Sequence, residues 1–409
     1  MSVCPAEYWI WMQNSLGAGA RTDEILAYFE TPEELYNAGS NEWRLSGLFT
    51  QKKIEALKSS TPSQIGEIIN ECRQKGYSII TPDMPEFPAR LKNLSDMPLV
   101  LYAMGDCSVL NDTVSIGMVG TRNASNYGIE IAQKLSFSLA SSGATIVSGG
   151  ALGIDSEAHA GAMLAKGRTL AFLGCGLSVN YLMENASLRR AITRYGAVVS
   201  EYSPFTPASR ITFPARNRLI SGVSLGVVVV EAGVKSGSLI TANKALAQGK
   251  DVFAVPGDIV RSSFDGTNHL IKNGAKPVFN AGDVLCEYEY LYGDLIDLSK
   301  AKVNISTIPY VEYRKKKTTQ SKKQSASIEK NNEIKTEKTP VKVNSRKNLP
   351  EDMSDEIKIV YSVLNENGVH IDDIVRETNL KMNVVLSSLT ELELLDFVQL
   401  ENGKKYKII

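Results

Sequence analysis

Residues 114–176 read VSIGMVGTRNASNYGIEIAQKLSFSLASSGATIVSGGALGIDSEAHAGAMLAKGRTLAFLGCG. Three apolar runs, 114–120, 144–150 and 169–176, each end in glycine and alternate with helix-length segments at 125–143 and 155–167. Outward along the chain, AVVSE (197–201), LGVVVVEAG (225–233) and DVFAVPG (251–257) continue the pattern. Near-continuous Val/Ile/Leu runs separated by helices predict an α/β fold with a parallel sheet covered on both faces, an extended Rossmann-like core. Ligands of such sheets bind beyond the carboxyl ends of the strands, where the glycines cluster.

The flanks differ in kind. Residues 1–75 read as short helices, with Thr22, Thr31, Thr50 and Thr61 at or just before their starts, where a hydroxyl can satisfy free amides. The turn Leu16-Gly-Ala-Gly19 suits either a SAM or helix-hairpin-helix-like DNA-binding domain or a plain helical bundle. The core domain is placed at 76–300. Residues 313–348 hold twelve Lys/Arg against three Glu, net +9, and are expected to be a disordered basic linker. Residues 349–409 hold six Lys/Arg against twelve Asp/Glu, net −6. Three short helices followed by FVQLENGKKYKII, with a hairpin signal at ENG, suggest a winged helix there. Its third helix, from Met382 to Glu393, contains no Lys or Arg; basic residues stand only at Lys381 before it and at Lys404, Lys405 and Lys407 in the wing. Duplex DNA is therefore a poor partner for this module; it is expected to bind a protein surface, or to fold back on the basic linker or the DNA groove.

The whole chain is neutral, with 45 basic and 45 acidic side chains, so no bulk field announces a partner. Five scattered cysteines without a CxxC pair argue against structural zinc and for a reduced compartment. No apolar run approaches the roughly 18 residues of a membrane span, and the N-terminus lacks a signal-peptide pattern. A cytoplasmic protein with no membrane contact, no metal and no cofactor is expected.

The chemistry sits in four stretches. Gly117 to Ser125 puts Thr121 and Arg122 after a strand, where a backbone can approach a phosphate and a guanidinium can grip its oxygens. A nicotinamide dinucleotide would want an acidic residue at the end of the second strand; Ser148-Gly149-Gly150 stands there instead. In SGGALGID, Asp155 is expected to cap the following helix, leaving any phosphate on the amides of Ser148 to Ala151. His159 reads as a packed histidine. Phe213, Arg216 and Arg218 join an aromatic ring to two arginines, the pairing used on single strands; either arginine could instead be buried against Glu201 or Glu231. Lys235, Ser236, Gly237 and Ser238 open a helix that contains no carboxylate, a phosphate cradle without an acid or base.

VGTRNASNYG, SGGALGIDSEAHAGAM, FPARNRLISGVS, VVVVEAGVKSGSLITANKALAQGKDVFAVPG and GTNHLIKNGA, in this order, resemble the DNA-processing protein A (DprA/Smf) family over residues 80–290. The resemblance implies a homodimeric, non-enzymatic protein that binds single-stranded DNA. Such a protein protects incoming strands and loads RecA recombinase on them during natural transformation. On matching positions it places Thr121, Arg122, Ser148, Gly149, Phe213, Arg216, Lys235, Ser236 and Gly237 in the DNA pocket. SGGALGID lacks an arginine that the family often carries there, and the first 312 residues are slightly acidic, net −3 by difference. The alternative is a nucleotide phosphoribohydrolase of the lysine-decarboxylase-like fold, whose loop glutamate has no counterpart in VEAGVKSGSLITA.

Overall fold

The computed structural model describes residues 4–312 apart from 182, and residues 353–408 apart from 367, 379, 381, 395–396 and 402–404. The linker expected at 313–348 lies outside the described residues. Two compact units divide between Arg314 and Lys315.

The first unit is built on a nine-stranded sheet. Its strands are β1 (Ser78–Ile80), β2 (Leu101–Gly105), β3 (Ser115–Val119), β4 (Thr145–Ser148), β5 (Thr169–Leu173), β6 (Gly196–Ser200), β7 (Gly226–Val229), β8 (Asp251–Ala254) and β9 (Lys276–Pro277). They lie in the order β1-β2-β6-β5-β4-β3-β7-β8-β9. β1 and β2 pair antiparallel, as do β2 and β6; every other pair is parallel. The six apolar runs of the sequence are β3 to β8. Alternate residues feed opposite faces: Val227 and Val229 join one core with Leu219, Ile220 and Ala242, while Val228 and Val230 join another with Ile116, Leu135 and Ile154. Burial on both faces is why these strands carry no polar alternation.

From β3 the chain proceeds through β4, β5 and β6 on one side, then crosses to β7 and β8 on the other. The connections leaving β3 and β7 therefore diverge, and a crevice opens between them. Val119 stands opposite Val229, so residues 120–125 and 230–238 leave the sheet side by side.

The N-terminal helices Ala6–Leu16, Thr22–Phe29, Pro32–Leu45, Gln51–Lys58 and Gly66–Lys75 share one core with the sheet, in which Trp11, Leu35 and Trp43 are continuous with Leu101, Phe172 and Val199. Gln13, almost wholly buried, accepts from the Leu99 amide (2.9 Å) and donates to the Glu201 carbonyl (3.3 Å). Thr31 and Thr50 cap their helices as the sequence suggests. Thr22 instead lies inside its helix and donates to the Met97 carbonyl at 3.0 Å.

The second unit holds helices Asp355–Val363, Ile371–Thr378 and Met382–Leu394 with a small antiparallel sheet of β10 (Val369–His370), β11 (Val398–Glu401) and β12 (Lys405–Ile408), in the order β10-β12-β11. Val360, Ile374, Val385, Leu389 and Leu392 form its core. This is a winged helix. No helix among the described residues is long and apolar enough to cross a membrane.

Candidate nucleic-acid interface

At the crevice between β3 and β7 lies a groove of about 340 Å³. Thr121, Arg122, Phe213, Arg216, Ser236, Gly237 and Ser238 all line it, brought together from three separate connections. The loop after β3 is anchored from below: the Thr121 amide donates to the Glu231 carbonyl at 2.8 Å, and the buried Glu231 carboxylate accepts from the Ser125 amide (3.0 Å) and hydroxyl (2.8 Å). Exposed Arg122 lies over the Phe213 ring, 5.0 Å from its centroid. The ring packs against Tyr181 at 5.3 Å and fills the space a side chain at Gly174 would need. A cation held on an aromatic face, both reachable from solvent, offers a phosphate contact and a stacking surface together.

Arg216 is different. It is buried, and Nη1 donates to the carbonyls of Gly149 (2.7 Å) and Phe172, while Nε donates to Asn217 (3.2 Å). Burial pushes its pKa down and Asp155 opposes that shift. Its charge acts from the groove wall rather than as a free fork. On the opposite side, Ser236 and Ser238 share a hydroxyl contact of 2.8 Å at the start of helix Ser238–Ala247. Asn217 Nδ2 donates to the Gly237 carbonyl (3.4 Å), joining that start to helix Thr212–Val223.

Several expectations need correction. Asp155 does not cap its helix: Gly153 is the cap residue, at φ +74°, and Asp155 Oδ2 accepts from the Ala151 amide at 3.3 Å. Burial raises the Asp155 pKa against the opposing charge of Arg216. Ser148, Gly149 and Gly150 lie beneath the groove rather than in it. Ser148 is fully buried and donates to the Met118 carbonyl at 2.6 Å, and Gly149 is covered by the Arg216 guanidinium and the Asp155 carboxylate. With the Ala151 amide also taken, this loop leaves little for a phosphate. Arg218 stands outside the groove, buried, with Nη2 donating to Glu201 (2.6 Å) and Nε 3.1 Å from Asp96. Arg218 is thus the buried arginine, paired with Glu201. Lys235 is exposed but does not line the groove.

The cradle is not free of carboxylate either. Asp155 contributes to the lining, whereas Glu231 lies below it. Sequence reasoning also passed over Tyr181, Asn217 and Thr241. Asn217 stands between the two arginines of FPARNR, but nothing in that stretch marks its side chain as the bridge to Gly237. His159 is fully buried. The Thr169 hydroxyl gives its hydrogen to the Ile146 carbonyl (2.9 Å), so the ring donates from Nδ1 to Thr169 at 2.7 Å. Burial depresses its pKa to about 3, and Nε2 has no partner among the described residues. It is a packed, neutral histidine.

The family model of DNA recombination-mediator protein A matches residues 78–289, and that of the DprA winged helix domain matches residues 345–404. The DNA processing protein DprA of Bacillus subtilis is 39% identical over 240 residues, 58% of this chain and 81% of the relative. Protein Smf of Synechocystis is 31% identical over 412 residues, covering 98% of both chains. The crystal structure of DNA processing protein A from Streptococcus pneumoniae superposes with a TM-score of 0.62 at 32% identity, over 70% of this chain and 99% of that one.

Proposed function

Because the chain belongs to the DNA recombination-mediator protein A (DprA/Smf) family, we propose that it has a role in DNA processing and that its switch-point groove binds single-stranded DNA without sequence preference. The observation that carries this reading is Arg122 seated on the Phe213 ring, 5.0 Å away, at the mouth of the groove. The guanidinium meets backbone phosphate and the ring stacks on any base, which needs unpaired bases but no particular sequence. Buried Arg216 adds charge from the wall, and the hydroxyls of Ser236 and Ser238 add polar contacts opposite. By resemblance to the family, the bound strand is protected and handed to RecA recombinase, and the working form is a homodimer active in natural transformation.

Titration of labelled oligonucleotides across a salt series tests the groove. Affinity for single strands is expected to fall as salt rises, because each phosphate contact releases counterions. Arg122→Ala is expected to weaken binding and flatten the salt slope by about one unit. An unchanged slope and affinity would remove Arg122 from the interface.

Asp155 in the lining favours a second reading, hydrolysis of nucleoside monophosphates, more than the sequence alone does. Against it, Oδ2 of the carboxylate already accepts from the Ala151 amide, and the adjacent Arg216 charge opposes its protonation. Release of free base above background, abolished in Asp155→Asn, would establish the enzyme instead.

A further inference from the structure

A second cavity, of about 480 Å³, lies between the same two helices that frame the groove. The groove takes Phe213, Arg216, Asn217 and Ile220 from Thr212–Val223 and the first turn of Ser238–Ala247; the second cavity takes Arg218 and Gly222 from another face of the first helix and Lys244 and Ala247 from the end of the second. Gln248 Nε2 donates to the Arg218 carbonyl at 3.1 Å, tying the helices together at this end as Asn217 does at the other. The segment 90–96 closes the remaining side.

Four cations line this cavity: Arg90, Arg218, Lys244 and Lys250. Asp96 is the one carboxylate among the lining residues, and with Glu201 behind it is engaged by Arg218. Arg218 is 1% exposed, and its Nη1 has no partner among the described residues. Among the described residues Arg90 donates to neutral carbonyls alone, those of Val223 (2.9 Å), Thr113 (2.6 Å) and Asp112 (3.4 Å). Lys244 and Lys250 make no ion pair among the described residues. Burial and the nearby Arg90 both disfavour the Lys250 charge, and Asp251 offsets this only in part. Arg218 uses up the lining carboxylate Asp96, which leaves Arg90, Lys244 and Lys250 crowded without an ion pair among the described residues, an arrangement that an entering anion relieves.

We propose that this cavity is a second phosphate subsite, holding the backbone of the same DNA strand after it leaves the switch-point groove. The inference rests on the single-strand reading of that groove. Six residues of helix separate Ser238 from Lys244, about 9 Å at ~1.5 Å per residue. That is about three nucleotides at ~3.4 Å of axial rise per nucleotide of one strand. The negative ends of both helices point this way, which is why the lysines and Arg90 are needed before an anion can enter.

The test uses the full chain with thymidine oligomers of about 2 nucleotides, too short to span the ~9 Å from groove to cavity, and of about 16, the upper end of what single-strand grooves cover. In the double variant Lys244→Ala/Lys250→Ala, affinity for the long oligomer is expected to fall about tenfold, and its salt slope by about 1.4 units at ~0.7 per contact. Binding of the short oligomer stays as in the wild type. Lys244→Arg/Lys250→Arg is expected to restore the slope, which separates lost charge from damaged folding. Unchanged long-oligomer binding in the alanine variant overturns the subsite while leaving the groove reading intact. Loss of the short oligomer as well overturns it by placing the lysines in the groove itself. Protection of the cavity by inorganic phosphate without any effect on the long oligomer overturns it in favour of a small free anion. A wild type that binds neither oligomer fails the groove reading first.

Discussion

Gly153 packs against the Thr121 and Arg122 backbone behind the groove and Gly237 lines it, and the two are glycine for different reasons. Gly153 has φ +74°, and a side chain there would run into the carbonyls of Thr121 and Arg122. Gly237 has φ −62°, and a side chain would meet no atom of the protein within 4 Å. Gly153→Ala is therefore expected to cost about 1–3 kcal/mol of stability through backbone strain and collision. Gly237→Ala is expected to leave the melting temperature unchanged or slightly raised while weakening single-strand binding, because the methyl group fills space that the strand needs. Thermal unfolding beside oligonucleotide titration checks both. If Gly237→Ala binds as the wild type, the backbone there does not approach the ligand. The sequence marked both positions as glycine in a loop. It could not say which one the fold requires, since that depends on what lies opposite in space.

At the scale of elements, β3 to β8 were legible because each is a dense apolar run buried on both faces. β1 and β9 have three and two residues, too few to carry a pattern, and β2 pairs antiparallel at the margin of the parallel series. The third helix of the winged module is a case where composition carried further than fold. Val385, Ser388, Leu389 and Leu392 face its core, leaving Met382, Leu386, Ser387 and Glu391 exposed, a surface without one cation. A helix of this kind gains nothing from the phosphates flanking a major groove. Residues 349–409, which hold their own core, are expected to show no measurable affinity for duplex DNA at physiological salt. Saturable micromolar binding of labelled duplex would reverse that expectation.

For the whole molecule, the N-terminal helices are packed into the sheet's own core. Removing residues 1–75 strips Trp11, Leu35 and Trp43 from that core and leaves the Leu99 amide without Gln13. Residues 76–312 alone are thus expected to melt lower and to expose apolar surface, read by thermal unfolding and dye binding; an unchanged melting temperature would show the two parts to be energetically separate. By itself the sequence determined the alternation of strands and helices and the family, and it pointed to part of the groove lining, Thr121, Arg122, Phe213, Arg216 and Ser236 to Ser238, because burial on two faces and close backbone turns constrain residue type locally. Only the tertiary structure decided which of the two arginines in FPARNR borders the groove, that Ser148-Gly149-Gly150 is a buried support, and that Asp155 joins the lining. Those outcomes depend on which strands neighbour β3 and where the chain crosses to β7. Two residues along a helix turn a side chain by about 200°, so Arg216 and Arg218 meet different surroundings.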